Sequence, residues 1–219
     1  MMSKRLFDLV VSGVVLTVLS IPFALVAMIV ALSSSGPVIY RQQRIGRWGR
    51  PFWLYKFRTM RVDSTGSQVT VTGDRRVYPV GRWLRRWKID ELPQFWNIVR
   101  GEMSVVGPRP EVARFVRHYS AEARRLLDQK PGLASLSQLV YPHEPELLEA
   151  ASDPEATYVS QLLPRKLAID LQYEATRTFW SDLRLLAEVG LLVAGKSYRI
   201  DRSLIVASRD TAAAARSQR

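Results

Sequence analysis

From Leu9 to Leu32 the chain carries no charged residue, and no other stretch constrains its fold as strongly. As one straight helix it would measure roughly 36 Å, enough to cross a hydrocarbon core of about 30 Å. It is too long for the apolar part of a signal peptide, and no convincing cleavage site follows it. A single spanning helix is the simplest reading. Pro22, near the middle, argues for another, because proline lacks a backbone donor and clashes with the preceding turn. Ser20 is placed to bond a carbonyl freed by such a kink. Each arm would then be about 15–20 Å long, too short to span. A re-entrant hairpin that enters and leaves one leaflet fits these arms. Lys4 and Arg5 precede the segment, and Arg41, Arg44, Arg47 and Arg50 follow it. Basic flanks on both sides suit a hairpin with both ends in the cytoplasm. An N-out, C-in span satisfies the same rule, since the second flank is the more basic. The residues alone leave both open.

The 219 residues allow one domain beyond such an anchor. The predicted division is an anchor over 1–36, a catalytic domain over 37–199 and a flexible basic tail over 200–219. A net charge of +12 favours an anionic partner: nucleic acid, an anionic lipid surface or a phosphorylated substrate. The chain has no cysteine, which excludes disulfides and thiolate zinc sites. Its two histidines, His118 and His143, are too far apart in sequence to favour a histidine metal cluster.

After the anchor, Val38 to Tyr40 and Phe52 to Met60 read as extended pieces around the turn Gly46-Arg47-Trp48-Gly49. Thr59 to Gly73 reads as a mobile polar loop. Asp90 to Arg100 reads as a helix with Asp90 as its N-cap. Pro110 to Gln129 reads as a second helix, stopped by Pro131-Gly132. Leu139 to Pro154 reads as irregular, and Pro164 to Arg177 as helical. Leu183 to Ala194 is apolar but too short to span, so it is a core helix or lies along a membrane surface.

The chemistry concentrates at Asp90-Glu91-Leu92-Pro93-Gln94 and at Gly107-Pro108-Arg109-Pro110. Asp90, with an ordinary pKa near 3.9, would be ionised at neutral pH and able to attack phosphorus without first losing a proton. That role requires its carboxylate to be reachable by a nucleotide. Glu91 is a hard oxygen ligand of the kind Mg2+ accepts alongside substrate phosphates. Taken singly, these are also an ordinary helix cap and an ordinary first-turn glutamate. Upstream, Arg82, Arg85, Arg86 and Lys88 interleave with Trp83 and Trp87. They would grip a diphosphate, lie at an anionic bilayer or bind single-stranded nucleic acid. The apolar anchor puts nucleic acid last, and it is not an expected partner. If Val80 to Lys88 is helical, Arg82, Arg85 and Arg86 share one face and the two tryptophans a neighbouring one.

These motifs, with Lys4-Arg5-Leu6-Phe7-Asp8, Arg41-Gln42-Gln43-Arg44-Ile45-Gly46 and Tyr55-Lys56-Phe57-Arg58-Thr59-Met60, resemble the bacterial sugar transferase family, the small monotopic phosphoglycosyl transferases. The resemblance runs from Lys4 to about Leu186. It implies an α+β, mainly helical fold, with a broken re-entrant helix kinked near Ser20 and Pro22 on a single domain with short strands and interfacial helices. It implies transfer of a sugar 1-phosphate from a UDP-sugar to a polyprenyl phosphate, releasing UMP, with Mg2+ held by Glu91. Asp90 would carry the phosphosugar covalently. Lys56, Arg85 and Arg109 would bind phosphates, and Asp170 matches a carboxylate near the same site. The implied location is the bacterial inner membrane, with the domain on the cytoplasmic face at an anionic phospholipid surface. Whether the chain forms a homodimer stays open. Three departures stand out: Ile21 separates Ser20 from Pro22, Glu102 stands where aspartate is common, and Lys130 to Gln138 lacks the usual Thr-Gly step. Two alternatives remain: direct attack by the lipid phosphate with Asp90 and Glu91 both holding metal, and a non-enzymatic basic membrane adaptor.

Overall fold

The computed structural model describes residues 2–62, 70–71 and 73–196. The expected tail over 200–219 and much of the expected Thr59–Gly73 loop lie outside them. Two helices open the chain, α1 (Met2–Val18) and α2 (Ser20–Ser33), and they meet at Leu19 with a bend of 64°. Pro22 is the third residue of α2, and its missing donor would otherwise have faced the turn at the bend. Ser20 is exposed and makes no side-chain hydrogen bond among the described residues, so the expected bond to a freed carbonyl does not form. The turn is closed by backbone bonds instead, from Leu19 N to Val15 O (2.9 Å) and from Phe23 N to Leu19 O (2.8 Å). Among the described residues no single helix is long and apolar enough to cross a membrane; the bent pair together has the length and composition.

One face of the pair is tied to the rest of the chain. Lys4 donates to Val106 O and to Asp182 (both 3.0 Å), and Arg5 to the carbonyls of Ile98 (2.6 Å) and Val99 (2.8 Å). Asp8 is buried and accepts from Ser104 Oγ and Val105 N, each at 3.0 Å. Phe7, Val11, Val15 and Leu16 pack on the main core. The other face leaves Leu6, Val10, Val14 and Val18 exposed at helical spacing, and α2 exposes Ile21, Leu25, Met28, Ile29 and Leu32. So large an uncovered apolar face marks a membrane or partner surface.

The antiparallel hairpin β1 (Ile39–Ile45) and β2 (Pro51–Phe57) follows, paired from Ile39↔Phe57 to Ile45↔Pro51. Its turn puts Trp48 at φ 60°, with the Arg47 guanidinium 4.3 Å from the ring centroid. Next comes α3 (Pro79–Arg86), a 3-10 turn over Ile89–Glu91, and α4 (Gln94–Arg100). The expected helix from Asp90 is therefore shorter, and Asp90 is not its cap. Pro93 holds the N-cap position, and the dyad sits on the tighter turn before it.

Strand β3 (Ser104–Val106) leads to α5 (Ala113–Val116), a 3-10 segment over Ala123–Asp128 and β4 (Gly132–Ala134), which pairs parallel to β3. The long helix expected over Pro110–Gln129 is thus two short pieces. Val112, Phe115, Val116, Tyr119, Ala123 and Leu126 do share one buried cluster. Ser120 interrupts the backbone between them, its Oγ accepting from Ala123 N (3.1 Å) in competition with the helix. The expected irregular stretch over Leu139–Pro154 also contains order. It takes in the end of α6 (Leu136–Val140), started by a Ser135–Gln138 capping box, and α7 (Glu144–Glu149). Then come α8 (Pro154–Thr157), a π-helical turn over Tyr158–Leu162, α9 (Leu163–Thr176) and α10 (Phe179–Val193). Helix α10 turns Leu185, Leu186, Val189 and Leu192 onto the core while exposing Phe179 and Trp180.

Candidate active site

Backbone constraints bring three segments to the carboxylate pair. Strand β2 supplies Lys56. Helix α3 is pressed onto the end of β2, where a Cβ on Gly81 would come within 2.3 Å of Thr59 O; Arg85 on α3 donates from Nε to Thr59 Oγ1 (2.8 Å). The loop Gly107–Pro110 lies across Pro131-Gly132, and a Cβ on Gly132 would sit 2.1 Å from Gly107 N. Bonds from Gly132 N to Pro108 O (2.8 Å) and from Gly107 N to Ala134 O (3.0 Å) lock that loop, which aims Arg109.

Glu91 Oε1 receives Lys56 Nζ at 2.8 Å and Arg109 Nη2 at 3.0 Å. Burial alone would favour the neutral acid, but Lys56 and Arg109 outweigh it and hold Glu91 well below the usual carboxylate range. Asp90, one residue earlier, is also buried (6% exposed) yet accepts no hydrogen bond and joins no ion pair among the described residues. Burial pushes its pKa up, opposed chiefly by Lys56 and reinforced by the Glu91 charge. The ordinary value expected from sequence is therefore corrected upward, because water is excluded from the turn. Burial likewise lowers Lys56 and Arg85, each partly offset by the dyad. The turn itself begins at Lys88, a non-glycine residue at φ 54°. Strained backbone of this kind clusters at functional sites.

Lys56, Arg85, Asp90, Glu91 and Arg109 thus form one cluster. Asp170 is placed differently. It is buried on α9 and accepts from Ser137 N (3.0 Å) and Ser137 Oγ (2.8 Å), and burial raises it to about 6 against those two bonds. Arg82 and Arg86 are exposed while Arg85 turns inward, so the expected shared face divides. Trp83 and Trp87 are exposed beside them, and Leu84 is buried on the opposite side.

The described cavities lie behind Arg109, lined in part by Pro108, Arg109, Pro110 and Glu111, and outside α5. Asp90 lines neither of these two cavities. Among the described residues no group of three metal-ligating side chains occurs. With Oε1 of Glu91 committed to two cations, the pair does not build an all-protein cage. It fits a lean magnesium site of one or two carboxylates completed by substrate phosphates.

Sequence reading missed a second polar network next to Arg109. Glu111 accepts from Tyr158 Oη (2.6 Å) and Arg44 (3.4 Å), and Lys166 contacts Tyr158 Oη (3.3 Å) and Glu144 (2.7 Å). The signal available was Lys166 in the same helical stripe as Leu163, Leu167, Asp170 and Tyr173.

The family profile for bacterial sugar transferases matches residues 1–195. The chain belongs to the bacterial sugar transferase family. Among similar family members is a UDP-glucose:undecaprenyl-phosphate glucose-1-phosphate transferase of Caulobacter vibrioides, 36% identical over 89% of this chain and 72% of that one. A protein of the same name from Escherichia coli is 34% identical over 84% of this chain but only 38% of its own length. The UDP-N-acetylgalactosamine-undecaprenyl-phosphate N-acetylgalactosaminephosphotransferase of Aeromonas hydrophila is 32% identical over 84% of this chain and 41% of its own. The chain therefore spans about two-fifths of the longer relatives. The resemblance seen in the motifs is confirmed at the level of family, and the fold is α+β and mainly helical as expected.

Proposed function

We propose that this sugar transferase moves a sugar 1-phosphate from a UDP-sugar to a polyprenyl phosphate and releases UMP, with Asp90 as nucleophile. One observation carries the assignment. Glu91 is fixed by Lys56 and Arg109, while Asp90, in the same field of cations, has no partner among the described residues to give up before reacting. The names of the relatives above, with undecaprenyl phosphate as acceptor and UDP-sugars as donors, support the substrate classes.

An Asp90 carboxylate oxygen attacks the sugar-bearing phosphorus; its bond to the bridging oxygen breaks and UMP leaves. An oxygen of the lipid phosphate then attacks the same phosphorus, and the acyl-phosphate bond opens to restore the carboxylate. Lys56, Arg85 and Arg109 hold the phosphate oxygens by charge-assisted hydrogen bonds. Glu91 would hold Mg2+, which supplies Lewis-acid stabilisation of the diphosphate. The bent pair α1–α2, with its uncovered apolar face, serves as a re-entrant anchor in the cytoplasmic membrane, its domain on the cytoplasmic side. The basic surface faces anionic phospholipid.

Asp90→Asn should abolish UMP release. Incubation with UDP-sugar alone should add one phosphosugar to the intact mass of the wild type and none to the variant. The burial of Asp90 favours one competing reading, in which both carboxylates hold metal and the lipid phosphate attacks directly. An unshifted mass in a preparation that turns over would establish it. A chain that binds membranes and releases no UMP from any UDP-sugar would instead be a basic adaptor.

A further inference from the structure

Arg58, one residue beyond β2, is 3% exposed. Its Nη2 donates to Ser34 O at the end of α2, but Nε and Nη1 are buried and, among the described residues, have no hydrogen-bond partner. Among those residues no carboxylate pairs with it. A buried cation with unused donors is costly, and a bound ion is one of the ways folded proteins satisfy such a group. Its surroundings fit a phosphate. Thr59 follows it, holding Arg85 through Oγ1 at 2.8 Å, and Arg85 in turn feels the Asp90 charge. Lys56, two residues back along β2, reaches Glu91. The row Arg58–Thr59–Arg85 therefore runs from the end of the anchor to the proposed nucleophile. The cover over Nη1 is thin: Gly36, at φ 111°, lies so close that a Cβ there would come within 2.5 Å of Nη1.

Resting on the functional reading above, we propose that Arg58, with Thr59 and Arg85, forms the subsite for the phosphomonoester of the lipid acceptor, entered by displacement of the Gly36 turn. The position accounts for a cation with no counter-charge among the described residues: a permanent carboxylate there would compete with the incoming phosphate. Burial at the foot of the anchor also suits a ligand whose tail stays in the membrane while its head reaches Asp90.

The test uses the full chain in detergent with Arg58→Gln and Arg58→Lys. Arg58→Gln should raise KM for polyprenyl phosphate tenfold or more and leave KM for the UDP-sugar within twofold, and Arg58→Lys should recover part of the loss. Equal rises in both KM values, or a lower kcat at unchanged KM for the lipid, would overturn the assignment and leave Arg58 as a clamp on Ser34. Should Arg58→Gln not fold, thermal shift on the wild type and Arg58→Lys decides. Polyprenyl phosphate should raise the wild-type Tm clearly more than polyprenol does, and Arg58→Lys should lose most of that gain. An equal gain in both proteins would overturn the subsite. Phosphatidylglycerol or inorganic phosphate matching the effect of polyprenyl phosphate would show a general anion site and refute an acceptor subsite. A wild type that shows the Tm gain but never releases UMP would sink the functional reading and leave the phosphate site standing.

Discussion

Asp170 separates a structural role from a catalytic one. The family resemblance matches it to a carboxylate near the active pair; it is buried and bonded to Ser137, with a pKa raised to about 6. An acid whose folded pKa exceeds its unfolded value holds its proton more tightly when folded. Stability from this group is therefore fully present below the unfolded value of 3.8 and is lost as pH rises to about 6. A displacement of about 2 pKa units corresponds to roughly 3 kcal/mol, given about 1.4 kcal/mol per unit. Asp170→Asn removes the buried charge and keeps an acceptor for Ser137 N. The variant should match the wild type within about 1 kcal/mol at pH 4.5 and exceed it by up to about 3 kcal/mol at pH 7.5, less whatever the altered bond to Ser137 Oγ costs. For a chain of this size that is about 5–10 °C in Tm. Melting both proteins in the same detergent across that range isolates the group, because other titrations cancel in the difference. A variant less stable at pH 7.5 than at pH 4.5, relative to wild type, would refute the linkage. Loss of activity with unchanged stability would mean that Asp170 serves substrate.

Two further outcomes follow from the site. Gly132→Ala forces a methyl group to 2.1 Å from Gly107 N, which is backbone and cannot swing aside; it should cost about 3 kcal/mol or more by denaturant melting and displace Arg109, lowering turnover disproportionately. Glu91→Ala leaves the cations Lys56 and Arg109 without their shared partner, at about 3–5 kcal/mol near neutral pH. Because the folded pKa of Glu91 is depressed, its stabilisation exists above the unfolded carboxylate range and fades as pH falls through the folded value. The gap between variant and wild type should therefore narrow toward acid in pH-dependent melts, and a constant gap would contradict the ion-pair account.

Local chemistry made some of this legible in advance. Pro22 within an uncharged run announces a broken helix, and the bend is at Leu19. Phe52 to Met60 reads as extended, and β2 covers Pro51–Phe57, with Lys56 directed at Glu91. The Pro110–Gln129 misreading is instructive: helical spacing of apolar residues records which side faces the core, and short turns with a serine break satisfy that as well as one helix does. Asp90 reads as a cap because a proline three residues on suits the first turn of a helix; in the fold Pro93 is itself the cap.

The sequence by itself determined the broken apolar segment, the carboxylate pair, the supply of basic side chains and the family, because each depends on residue type and short spacing along the chain. Tertiary structure alone decided which cations reach which carboxylate. It assigned Lys56 and Arg109 to Glu91, left Asp90 without a partner among the described residues, set Asp170 on Ser137 and stranded Arg58 beneath Gly36. Those outcomes depend on burial and on contacts between segments tens of residues apart. Electrostatic strength inside a protein follows local water exclusion, which no single stretch of chain can set for itself.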